Sequence, residues 1–187
     1  MIDSSRFTRE GAAVRVRLLG PVDVVVEGKP TPVRGHRRTA VLAALAVQAG
    51  AVVSTGHLID GIWGDAAPKG ALPTLQSHIS YLRRLFGTRN AIVARGSGYA
   101  LELGPDATDV ALAERLIEEV RRSTELEFRV HRLEAVVALW RGRPLADVAM
   151  HSWLEQEAGR LEQLGLTVRR DMIETRLEGL SGGSRES

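Results

Sequence analysis

Between Pro73 and Phe86 the chain reads PTLQSHISYLRRLF, and no other stretch constrains the fold as much. Leu75, Ile79, Leu82 and Phe86 are four, three and four residues apart, so at about 3.6 residues per turn they form one narrow apolar stripe. That stripe predicts a helix lying on a core. Its opposite side carries Ser77, Ser80, Tyr81 and Arg84, flanked by Gln76 and Arg83 on one edge and by Thr74 and His78 on the other. An ordinary solvated helix face mixes Glu with Lys, whereas this one has no acidic residue, which suits a surface that approaches phosphates. The pattern is that of a helix that reads DNA.

The charge distribution agrees. Residues 1–104 hold 13 Lys+Arg against 7 Asp+Glu, a net +6, while residues 105–187 hold 12 against 16, a net −4. Opposite signs in the two halves predict two domains with different partners, the basic one facing nucleic acid. With 44% hydrophobic residues in 187 the chain can bury a core for both. It has no cysteine, which excludes disulfides and thiolate metal sites. The longest apolar run, Ala40–Val47, is too short to span a bilayer, and the first residues lack a signal-peptide pattern. A cytoplasmic protein that does not enter a membrane is expected.

Residues 1–13 are polar and aperiodic and read as a loose leader. Val14–Leu19 and Val22–Val26 read as strands, Glu27-Gly28-Lys29-Pro30 as a turn, and Thr31–Val33 as a third short strand, so a small antiparallel sheet opens the fold. A helix is expected from His36 to Ala49, with Val41, Leu42 and Leu45 facing the core and Gly50 ending it. Its first turn collects His36, Arg37 and Arg38 just after Arg34. Cations there oppose the helix dipole, by a few tenths of a kcal/mol each. An arrangement of that kind suits an incoming phosphate. Val52-Val53 is a further short strand, and Ser54 caps a helix through Leu58, Ile59, Ile62 and Trp63. The loop Gly64–Ala71 leads to the DNA-reading helix, with Pro73 in its first turn. After Phe86-Gly87, Ala91–Arg95 and Tyr99–Leu103 flank Gly96-Ser97-Gly98 as a hairpin. Arg95 beside that turn is placed to meet a minor groove or its phosphates.

The order of strands, two helices, recognition helix and hairpin wing resembles the OmpR-type winged helix. The resemblance is carried by Thr74-Leu75-Gln76, His78-Ile79-Ser80, Leu82-Arg83-Arg84 and Arg95-Gly96-Ser97-Gly98-Tyr99. The second half adds Ala138–Asp147 (ALWRGRPLAD) and Ser152–Leu164 (SWLEQEAGRLEQL), which are similar to the opening of a bacterial transcriptional activation domain. Together they identify the chain as a member of the Streptomyces antibiotic regulatory protein family, over roughly Val14 to Leu180.

The resemblance implies an α+β winged helix over residues 14–104. An all-α, tetratricopeptide-like activation domain follows over 105–187, truncated, with helices at about Val110–Ser123, Leu126–Trp140 and Trp153–Leu180 and a loop-like tail from Ser181. It implies activation of an antibiotic gene cluster by a dimer on promoter direct repeats, with contacts to RNA polymerase and sigma factor, and no cofactor. Ser77, Ser80, Tyr81 and Arg84 stand at base-reading positions. Thr74, His78 and Arg83 stand at phosphate positions, Arg95 is the arginine of the wing, and Gln76 and Ser97 complete the interface with the Arg34 to Arg38 cluster. Ser80 and Tyr81 depart from relatives that carry arginines there, so base preference does not transfer. The loop Gly64–Ala71 matches the segment that faces polymerase.

Two other readings stay open. An enzyme finds little support: the five histidines are scattered, and neither a phosphate-cradling Gly-x-x-x-x-Gly-Lys nor a Gly-x-Ser-x-Gly is present. A protein-interaction module built on a winged helix and an acidic helical half is the stronger rival. Salt dependence separates it from a DNA binder. Five or six phosphate contacts among Arg34, Arg37, Arg38, Arg83, Arg84 and Arg95 give a log-log slope of about −5 per subunit.

Overall fold

The computed structural model describes residues 15–183, so the expected leader and Val14 lie outside the described residues. An antiparallel sheet comes first, in the order β1 (Arg15–Arg17), β2 (Asp23–Val26), β3 (Lys29–Pro32). Val16 pairs with Val24 and both side chains are buried, while Arg17 and Asp23 pair on the other face as a bidentate salt bridge. The third strand begins two residues earlier than the sequence suggests. Pro30 and Pro32 are tolerated in it because β3 is an edge strand, where a missing N–H breaks no ladder.

Helix α1 (His36–Val47) ends two residues short of expectation. It corrects the expected narrow stripe of Val41, Leu42 and Leu45, because every residue from Thr39 to Ala46 is buried. An alanine-rich helix lets neighbours approach from all sides, and here α2 (Thr55–Trp63), α3 (Ala71–Leu85), β6 (Gly98–Leu101) and α6 (Ser152–Gly183) all touch it. Strand β4 (Val53–Ser54) precedes α2, whose first turn is closed by the Ser54 hydroxyl accepting from the His57 N–H at 3.1 Å. Part of the expected loop after α2 is a turn of 3-10 helix, Gly64–Ala66. In α3 the stripe of Leu75, Ile79 and Leu82, continued by Phe86, is buried as its spacing predicts. Strand β5 (Ile92–Arg95) and β6 form the hairpin, and β4 joins β6 to make a sheet in the order β4-β6-β5. Gly98 makes that junction possible, since a Cβ there would stand 2.2 Å from the Val53 carbonyl oxygen.

Three helices follow: α4 (Asp109–Arg122), α5 (Leu126–Val137) and α6. Thr108 caps α4, accepting from the Ala111 N–H at 3.0 Å. Helix α5 stops three residues before Trp140, and α6 runs on through 181–183, where a loop was expected. Trp140 packs on Gly165 of α6 and donates its indole N–H to the Leu161 carbonyl at 3.3 Å.

Hydrogen bonds join the N-terminal sheet and the segment after β1 to the helical half. Val16 N–H donates to the Ala107 carbonyl at 2.9 Å, and the buried Asp109 carboxylate accepts from Leu18 N–H (2.7 Å) and Leu19 N–H (3.0 Å). Arg141 and Leu145 return N–H bonds to the carbonyls of Leu19 and Leu18, and Asp147 accepts from Val22 N–H at 3.0 Å. These bonds satisfy main-chain groups of Leu18, Leu19 and Val22, in the segment that leaves the sheet after Arg17. A small antiparallel sheet, a three-helix unit with a hairpin, and a following set of helices make a winged-helix-like domain succeeded by a helical domain.

Candidate nucleic-acid interface

With Leu75, Ile79 and Leu82 facing inward, the exposed side of α3 presents Gln76, Ser77, Ser80 and Arg84 together. The sequence places Ser77, Ser80 and Arg84 on that face and Gln76 on its flank, and all four are exposed. Neither α3 nor α1 has a side-chain cap or an acidic residue in its first turn; Gly70 and Gly35 occupy the cap positions. The first turn of α1 therefore has no side-chain acceptor at its positive end, whereas in α3 the Ala71 N–H donates to the Pro68 carbonyl at 2.9 Å and Pro73 has no N–H to offer.

Arg34, Arg37 and Arg38 gather around the start of α1. Arg34 and Arg37 are exposed and Arg38 is half-buried. Among the described residues no carboxylate lies within 4.0 Å of Arg34, Arg37, Arg38, Arg83, Arg84 or Arg89. The helical half differs sharply. There Arg115 bridges Asp106 and Glu119, Arg143 bridges Glu155 and Glu162, Arg160 bridges Glu114 and Glu157, and Arg176 meets Glu134. A set of cations left without counter-charges on one domain, beside a domain whose described arginines are paired apart from Arg169, suits an external polyanion.

Several residues expected at the interface have other tasks. Tyr81 is half-buried; its hydroxyl accepts the Arg34 N–H at 3.3 Å and its ring lies under the Arg38 guanidinium at 4.4 Å. His78 turns inward and stacks on Trp63 with ring centroids 6.0 Å apart, and both its ring nitrogens are buried without a partner. Burial, then the charges of Arg38 and Arg37, hold its pKa below the usual histidine range. The Thr74 hydroxyl donates back to the Gly70 carbonyl at 2.8 Å. His36 leaves the arginine cluster to meet His151 of the helical half, Nε2 to Nε2 at 3.2 Å with the rings stacked. Arg95 is held by Glu102 at 2.7 Å, and Arg83 donates its Nε–H to the Ile92 carbonyl at 2.9 Å, tying α3 to the wing. Ser97 is exposed at the hairpin turn, where its carbonyl accepts the Thr55 N–H at 2.9 Å.

Sequence reasoning missed Arg89 and Trp63. Arg89 is exposed in the short turn that joins α3 to β5, and the only signal for it was a cation with no acid nearby. Trp63 carries Arg37 over its ring at 5.8 Å, a contact without local sequence signature. Among the described residues no group of three or more metal-ligating side chains comes together, and no helix is long and apolar enough to cross a membrane.

The fold and its unpaired arginines define a winged-helix-like domain followed by a helical domain, and similarity to known proteins carries this further. Residues 33–101 match the family described as transcriptional regulatory protein, C terminal, and residues 108–181 match the bacterial transcriptional activator domain. These matches, with relatives such as those below, make the chain similar to the Streptomyces antibiotic regulatory protein family of transcriptional activators. It is 34% identical to the regulatory protein DnrI of Streptomyces peucetius over 88% of this chain and 65% of that protein. It is 28% identical to the transcriptional regulator RedD of Streptomyces coelicolor, over 95% of this chain and 53% of the relative. A solved structure of Mycobacterium tuberculosis EmbR, in complex with a low affinity phosphopeptide, superposes with a TM-score of 0.81 at 25% identity, covering 88% of this chain and 46% of that one. The chain thus spans under two thirds of these relatives' lengths.

Proposed function

We propose that this chain activates a secondary-metabolite gene cluster, of the antibiotic type, by binding double-stranded promoter DNA in the cytoplasm. The reading divides the chain at 104/105 into a DNA-binding and an activation part. Helix α3 enters the major groove, where Gln76, Ser77, Ser80 and Arg84 face base edges. Arg34, Arg37 and Arg38 bind phosphate at the start of α1, with Arg83 and Arg89 beside them. The wing turn, with Ser97 and Arg95, follows the neighbouring groove once Arg95 exchanges Glu102 for phosphate. Two copies sit head to tail on direct repeats, and the segment 64–71 meets RNA polymerase with its sigma factor; family likeness alone supports these last two points.

The observation that carries the proposal is the set of arginines without carboxylate partners on α1 and α3, set against the paired arginines of the helical half. Phosphate contacts from Arg34, Arg37, Arg38 and Arg89 alone give a log-log salt slope of about −4 per subunit. Fluorescence anisotropy against a duplex selected by this protein from a randomised library, and against random duplex, tests it at several salt concentrations. Selective binding with that slope supports the proposal. Binding indifferent to sequence and salt overturns it in favour of a protein-docking module.

A further inference from the structure

Most arginines in the helical half are held in place by carboxylates, which fix the guanidinium and also offset its charge, as Glu155 and Glu162 do for Arg143. Arg38 is held differently. Its guanidinium carbon lies 4.4 Å from the centroid of the Tyr81 ring, and its Nη1 donates to the Arg34 carbonyl at 3.4 Å. The Tyr81 hydroxyl in turn accepts the Arg34 N–H at 3.3 Å. One tyrosine on α3 thereby closes a ring of contacts with two residues at the start of α1. Arg38 is half-buried and has no carboxylate within 4.0 Å among the described residues. An aromatic face attracts a cation through its quadrupole without neutralising it. The guanidinium keeps its full charge, and most of its N–H donors remain available to an anion.

We propose that Tyr81 is a positioning residue: an aromatic shelf on the recognition helix that holds Arg38 of α1 ready for a DNA phosphate, without reading a base itself. This rests on the DNA-binding reading above. Its physical content is preorganisation, since a long side chain already fixed in its bound rotamer loses less entropy when phosphate arrives. It also explains why the position tolerates a bulky, half-buried ring between the exposed Ser80 and Arg84.

The test uses the whole chain and four variants: Tyr81→Phe, Tyr81→Leu, Arg38→Ala, and Tyr81→Leu with Arg38→Ala. Leucine keeps apolar bulk against the core, and thermal melting of each variant separates folding from binding. On the selected and the random duplex alike, Tyr81→Leu is expected to weaken binding by the same factor, roughly two- to tenfold. It should add nothing in the Arg38→Ala background, and Tyr81→Phe should recover most of the loss. A loss confined to the selected duplex, or one that persists undiminished without Arg38, overturns the shelf. In the free protein, ring current from Tyr81 should shift the Arg38 δ protons upfield in wild type and Tyr81→Phe but not in Tyr81→Leu. Unshifted resonances in wild type overturn the shelf whether or not DNA binds. A wild type whose binding ignores salt overturns the DNA reading while leaving this second measurement intact.

Discussion

Substituting Gly61 by alanine should change sign according to the residue at position 153. Gly61 lies inside α2, where Gly→Ala ordinarily stabilises a helix by about 0.8–1 kcal/mol. Here the new Cβ would stand 2.5 Å from Nε1 of Trp153, 3.2 Å from Cδ1 and 3.3 Å from Cε2. The obstacle is a rigid indole, not the tip of a flexible chain, and its other contacts include the His57 ring at 5.1 Å. Forcing a methyl into such a contact costs roughly 1–3 kcal/mol. Overpacking therefore outweighs propensity, and Gly61→Ala in the wild type should destabilise by up to about 2 kcal/mol. In a Trp153→Ala background the obstacle is gone, and the same substitution should stabilise by about 0.8–1 kcal/mol. Urea denaturation of the four proteins, compared at constant m-value, gives a coupling energy expected at about 1–3 kcal/mol. If Gly61→Ala stabilises both backgrounds equally, Trp153 is not seated on α2, and the docking of the helical half described above is wrong.

Other expectations follow from the same geometry. Gly98→Ala should cost at least about 1–3 kcal/mol and abolish hydrogen-exchange protection at the Val53–Tyr99 pairing, because the obstructing atoms are backbone and no rotamer relieves them. Asp109→Asn should cost about 1–3 kcal/mol in chemical denaturation, since its amide would turn an N–H toward the Leu18 or Leu19 N–H. Burial raises the Asp109 pKa above the ordinary 3.8, against the backbone bonds that lower it, so its linked stability falls as pH rises from 3.8 through the folded value; Asp109→Asn should remove that slope. Burial first, then His36 and Arg37, lower the pKa of His151, so stability linked to its neutral form is full above 6.5 and lost as pH falls through the folded value. His151→Gln should flatten the acid side of a stability-pH profile. Arg84→Ala should weaken the selected duplex by about 1–3 kcal/mol and relax specificity, whereas Arg37→Ala should weaken selected and random duplexes equally in the anisotropy titration.

Residues 71–86 were legible because helix periodicity is a local property: four apolar side chains at the right spacing leave little freedom about which face is buried, and Ser77, Ser80 and Arg84 follow on the other, with Gln76 on its flank. The same rule reads α1 too narrowly. Alanine is permitted inside and outside, and only neighbours from elsewhere in the chain, α2, α3, β6 and α6, decide that Ala40, Ala43 and Ala44 are all covered. His78 and Tyr81 show the same limit at the interface. Helical spacing places them on the flank and the outer face of α3, but Trp63 on α2 and the arginines on α1 determine what their side chains do there. His36 met a partner in His151 that no local pattern could supply.

Helix α1 is where the two halves act on one another. Its interior is packed by α2 and α3 on the winged side and by α6 on the helical side, while its first turn carries both the arginines proposed for phosphate and His36, which is held by His151. A displacement of the helical half would thus be felt first by His36 and, one and two residues on, by Arg37 and Arg38. Main-chain groups of Leu18, Leu19 and Val22 reinforce this arrangement, because they are satisfied by Asp109, Arg141, Leu145 and Asp147. Cutting the chain at 104/105 would leave those groups unpaired and expose Leu18 and Leu19, which are buried here at 1% and 0% exposure. The winged half is therefore expected to lose stability when separated, and a loss of DNA binding by such a fragment would report the missing support under α1 as much as any missing contact to DNA.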